Sequence, residues 1–77
     1  MHPILRLLAY NAKATRLRLG LTVEQVAHRA RVSVYVLKQI EAAQSNPGID
    51  TVFRIARALG VHAADLLKPV DKRKRLN

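Results

Sequence analysis

The 77-residue chain has room for one small domain, and a domain of that size buries only about 60% of the surface its unfolded chain exposes. It is too short for a dinucleotide-binding or barrel fold, and with no cysteine it has no disulfide, thiolate zinc site or cysteine nucleophile. Its hydrophobic content of 49% excludes a disordered chain, and 14 Lys/Arg against 5 Asp/Glu leave a net charge of +9, the balance of a small domain that meets nucleic acid or an anionic membrane surface.

That charge lies mostly at the two ends. Arg6, Lys13, Arg16 and Arg18 make residues 1–20 net +4, and Lys72-Arg73-Lys74-Arg75 with Lys68 and Asp71 make residues 68–77 net +4, around a nearly balanced middle. Residues 1–69 are expected to form the domain and 70–77 a basic, flexible tail, either a disordered solubilising end or an arm that tracks phosphate. No stretch approaches the roughly 18 apolar residues of a membrane span. Arg6 interrupts the only run that resembles a signal start, so a cytoplasmic protein is expected.

In chain order, Pro3 suits a first helical position, and the absence of Gly or Pro from Ile4 to Leu19 predicts a long helix stopped by Gly20. It carries two apolar stripes: Ile4, Leu8, Ala12, Thr15 and Leu19, then Leu7, Tyr10, Ala14 and Leu17. A surface helix needs one. The second stripe either packs back on the C-terminal part of the domain or forms a dimer or partner surface, and Leu66, Leu67 and Val70 could join either arrangement. Thr22-Val23-Glu24-Gln25 is a capping box, with Leu21 and Val26 placed as its hydrophobic staple, and it opens a second helix to about Arg29. Ser33 repeats the device with Val32 and Leu37, and its helix runs from Val34 to about Ala43. Two capped helices only three or four residues apart must cross steeply, as a helix-turn-helix does. Asn46-Pro47-Gly48 is turn chemistry. A fourth helix, Ile49 to Leu59, has Ile49, Val52, Ile55, Ala56 and Leu59 on one face and stops at Gly60. A short fifth helix spans about Ala63 to Leu67. The chain therefore reads as all-α, a compact five-helix domain.

Taken together, Arg16, Gly20-Leu21-Thr22, Gln25, Ala27, Val32-Ser33, Leu37, Ile40-Glu41, Pro47, Ala58-Leu59-Gly60-Val61 and Asp65-Leu66 resemble the Cro/CI-type (XRE-like) helix-turn-helix domain of phage repressors and bacterial regulators, over about residues 8–67. The resemblance implies a phage-repressor-like domain, usually a dimer, with its third helix in the major groove of operator DNA. It also implies a buried ion pair between Arg16 and Glu41. Two positions depart from the family pattern. Arg31 stands where the inter-helix turn usually has Gly, which leaves open a differently shaped turn, since a bulky residue at positive φ is strained. Ala42-Ala43 stands where Asn-Gly often follows the glutamate, and a polar contact to phosphate is lost with it.

With Leu37 and Ile40 inward, the third helix offers Val34, Tyr35, Lys38, Gln39 and Ala42 outward. Gln39 can pair bidentately with adenine, Lys38 can reach guanine O6/N7, and Val34 and Tyr35 can touch thymine methyls. Phosphate donors are expected at Thr22 and Gln25 on the second helix's N-terminus, at Arg31, Ser33, Gln44 and Asn46 on the flanking turns, and at Arg18. Each could instead be a solvated surface group. No enzyme is expected. His2, His28 and His62 are unrelated in position, and the His28–Glu24 pair lacks a third ligand for a metal. The reading is a sequence-specific DNA-binding transcriptional regulator that binds double-stranded DNA as a homodimer, with no cofactor and no membrane partner. The alternatives are an antitoxin-type regulator that also holds a partner protein, and a charge-driven nonspecific nucleic-acid binder.

Overall fold

The computed structural model describes residues 2–69, so the basic tail lies outside the described residues. Five helices follow one another: α1 Pro3–Arg18, α2 Val23–Ala30, α3 Val34–Glu41, α4 Ile49–Leu59 and α5 Ala63–Leu66. The starts of α1, α2 and α3 are set by side chains. The His2 ring accepts from the Ile4 N–H at 3.2 Å ahead of Pro3. At α2 the Thr22 hydroxyl accepts from Gln25 N–H at 3.0 Å while the Gln25 side-chain oxygen accepts from Thr22 N–H at 2.9 Å. Ser33 accepts from Val36 N–H at 3.0 Å and opens α3. These bonds satisfy donors that a helix start otherwise leaves without partners.

Helix ends share one device. After α1, α2, α3 and α4, a left-handed residue turns the chain, and the next amide reaches back five residues: Leu21 to Arg16, Val32 to Ala27, Gln44 to Gln39 and Val61 to Ala56, at 2.8–3.1 Å. This is the Schellman closure. Its left-handed residue is Gly20 and Gly60 in two cases, but Arg31 (φ 59°) and Ala43 (φ 57°) in the others. The α2–α3 turn thus keeps the geometry a glycine would adopt, and Arg31 carries the strain.

The core lies between α1, α2, α3 and α4, with α5 closing one end. Leu8 and Ala12 of α1, Val26, Ala27 and Ala30 of α2, Leu37 and Ile40 of α3, Val52, Ile55, Ala56 and Leu59 of α4, and Leu66 of α5 are all buried. Each large member contributes about 1.5–3 kcal/mol by leaving water. Ala27 and Ala30, both without bulk, allow α2 to approach its neighbours closely. Both staples form around this core: Leu21 and Val32 pack on it, with Val26 and Leu37 inside. Asn11 ties α1 to the chain end, donating its side-chain amide to the Leu66 and Lys68 carbonyls, both at 2.9 Å.

Three expectations need correction. Leu66 is wholly buried and Leu67 packs against the core, so neither adds to an exposed dimer or partner surface. Ile49 shares the phase of the α4 stripe, yet it is 67% exposed in the first turn of α4. α3 ends at Glu41, since the left-handed Ala43 closes it early.

Candidate nucleic-acid interface

α3 is presented by its turn. Leu37 and Ile40 are buried in the core, which turns the opposite face of α3 outward. Tyr35 stands at the centre of that face at 69% exposure, with Lys38 and Ala42 exposed beside it and Gln39 half-buried. Neither the Lys38 nor the Gln39 side chain has a hydrogen-bond or ion-pair partner among the described residues. Val34 sits at the edge, half-buried with its side chain against the core, and leaves little apolar surface to offer. Val36, which the sequence reading passed over, is exposed on the other edge.

One ion pair holds this helix in place. Arg16 is buried and grips the Glu41 carboxylate with both arms: Nε donates to Oε2 at 2.8 Å and an Nη to Oε1 at 2.9 Å. Its other Nη donates to the Leu21 carbonyl at 3.0 Å, so one guanidinium fastens α1 to α3 and to the entry of α2. The hydrogen bonds to Glu41 hold Arg16 above its ordinary pKa, against burial, which pulls the other way.

The cap residues keep their donors free. In the α2 box, Thr22 Oγ1 and Gln25 Oε1 act as acceptors, which leaves the Thr22 hydroxyl proton and the Gln25 amide NH₂ to point at an anion. Ser33 is used the same way. Gln44, Asn46 and Arg18 are exposed. Arg31 is exposed two residues before Ser33. It stands at the opposite end of α2 from Thr22, about 12 Å along an eight-residue helix, where it lines a groove with Arg29, Arg54 and Arg57. Sequence reading singled out none of these three, because their sequence separation hides that α2 and α4 lie side by side.

Tyr10 and Leu17 of the second α1 stripe are 40% and 58% exposed, Ala14 is exposed, and Leu7 is half-buried. Tyr10, Ala14 and Leu17, with Arg6 and Lys13, border a shallow groove that continues onto Ala42 and Ala43 after α3. A second exposed apolar pair lies on α4: Ile49, expected on the buried face, and Phe53. Among the described residues no group of His, Asp and Glu side chains could hold a metal ion, and no helix is long and apolar enough to cross a membrane.

A capped helix pair with an outward polar third helix is the architecture of a helix-turn-helix DNA-binding domain. The chain belongs to the helix-turn-helix family HTH_3, which it matches over residues 13–66, the Cro/CI-type domains of DNA-binding transcriptional regulators rather than an enzyme family. It is 34% identical over 67 residues, 87% of either chain, to an uncharacterised HTH-type transcriptional regulator, y4dJ, of Sinorhizobium fredii. It is 33% identical over 52 residues to the HTH-type transcriptional regulator DdrOP3 of Deinococcus deserti, covering 68% of this chain and 40% of that protein. Among solved structures it is similar to a hypothetical transcription factor from Neisseria, with a TM-score of 0.85 and 28% identity, covering 96% of this chain and 85% of that one.

Proposed function

We propose that residues 1–69 bind an operator as a homodimer, each subunit laying α3 in the major groove of one half of an inverted repeat. Lys38 and Gln39 read base edges, Tyr35 touches a thymine methyl or donates to phosphate, and Val34 contributes only its exposed edge. Thr22, Gln25, Ser33, Gln44, Asn46 and Arg18 hold the backbone, and the basic tail 70–77 adds sequence-independent attraction. Two-fold pairing would set the two α3 helices about 34 Å apart.

The observation that carries this reading is the outward face of α3, where Lys38 and Gln39 have no internal partner beside an exposed Tyr35. Selection of bound sites from random duplex DNA tests it. The expected product is an inverted repeat, with Gln39→Ala losing preference at one base pair of each half-site, worth about 1–3 kcal/mol. A featureless selection, or a variant that weakens every sequence alike, would show binding by charge alone.

The exposed apolar groove on α1 favours a second reading, in which Tyr10 and Leu17 hold a partner protein, as an antitoxin holds its toxin. Co-purification of a second small protein that Leu17→Asp releases would support it.

A further inference from the structure

The C-terminal ends of α1, α2 and α4 converge on an open groove of about 850 Å³ that includes no residue of α3. Four arginines line it: Arg29 and Arg31 from the end of α2, Arg54 and Arg57 from α4. All four are exposed, and the groove lining includes no acidic residue. Of the four, only Arg54 has an acidic neighbour among the described residues, Asp50 at 3.8 Å on the same helix. Arginine near a helix C-terminus offsets the partial negative charge there, but three such ends supply only about −0.5 each. With Arg54 paired to Asp50, the other three guanidiniums exceed that by about +1.5, so much of the charge has no internal use. Between them the wall is apolar, formed in part by Leu19, 47% exposed, and Leu21.

We infer that this groove is a docking site for an acidic segment of a partner protein, one that brings carboxylates to the arginines and an aliphatic side chain to Leu19 and Leu21. Like-charge repulsion disfavours pairing of this arginine-lined face with the same face of a second copy. The apolar wall distinguishes a peptide from a phosphodiester backbone, which has nothing to lay on leucine. Because α3 takes no part, the site leaves the DNA-facing helix free, and a partner could be held while DNA is bound.

The test is a titration of the isotope-labelled full chain with a short synthetic peptide rich in Asp and Glu around a central Leu-Leu, followed by amide chemical shifts. Shifts are expected at Arg29–Arg31 and Arg54–Gly60. Arg29→Ala with Arg57→Ala should weaken binding about tenfold or more, whereas Arg6→Ala with Lys13→Ala, an equal loss of charge, should change it less than about twofold. Replacing the peptide's leucines with serine should also weaken it. Equal losses in the two double variants, shifts spread over the whole surface, or indifference to the leucines would each overturn the proposal. So would displacement of the peptide by a duplex that shifts the same amides, which would make the groove a nucleic-acid contact. If the groove variant fails to fold, the wild-type chain decides: peptides with the acids amidated must lose the localised shifts.

Discussion

Arg16 shows how one side chain can do several structural jobs at once. Its bidentate grip on Glu41 and its bond to the Leu21 carbonyl leave the pair only about a tenth exposed, 10% and 8% by side chain. Truncation would strand the Glu41 carboxylate in that setting. Arg16→Ala is therefore expected to destabilise the domain by about 3 kcal/mol, the lower end for a buried pair because some water still reaches it. Urea denaturation measures this, with little change in the slope of the transition. Ala43 and Arg31 are the reverse case, since each holds a left-handed backbone that disfavours any Cβ. Ala43→Gly should raise stability by about 1 kcal/mol, and Arg31→Gly by a similar amount. A loss of stability in both would mean that the strain is illusory.

At the scale of the element, helix boundaries are local. The Thr22 box, the Ser33 cap and the closures at Gly20 and Gly60 each involve residues no more than five apart, and so the amino-acid order announced them, whereas the closures at Arg31 and Ala43, which lack the glycine signal, it did not. α5 is the shortest helix and depends most on such a bond. Asp65 accepts from Lys68 at 2.9 Å and from His62 N–H at 3.0 Å, and these bonds, Lys68 first, hold its carboxyl below its ordinary value of 3.8. A depressed carboxylate contributes stability above its unfolded pKa and loses it as pH falls through the folded one. Protection of the Ala63–Leu66 amides against exchange, taken relative to their intrinsic rates at each pH, is thus expected to fall as pH drops below 3.8, and Asp65→Asn should abolish that fall. Unchanged protection in the wild type would show that the core contact of Leu66 alone secures the helix.

For the molecule as a whole, assembly and salt are the open quantities. If Tyr10 and Leu17 form the two-fold contact, Leu17→Asp should yield a monomer in sedimentation while leaving the helical content intact. Should Ile49→Asp or Phe53→Asp do so instead, the contact belongs to α4, whose exposed pair is the competing apolar surface. Affinity for DNA should fall with log salt by about 0.9 per neutralised phosphate, and the monomeric variant should show roughly half the slope of the dimer.

From the amino-acid order alone came the five helices, the Thr22 and Ser33 caps, the short α2–α3 connection, the inward phase of Leu37 and Ile40, and the outward Tyr35, Lys38 and Gln39. All of these follow from periodicity and short-range hydrogen bonding. Only tertiary packing decided that Leu66 is core while Ile49 and Phe53 are exposed, that Val34 leans inward, and that Arg29, Arg31, Arg54 and Arg57 share one groove. A helix's phase tells which residues lie together on its surface, but burial depends on how far a neighbouring helix extends along that face. Such neighbours come from positions distant in the chain, and no local pattern encodes their reach.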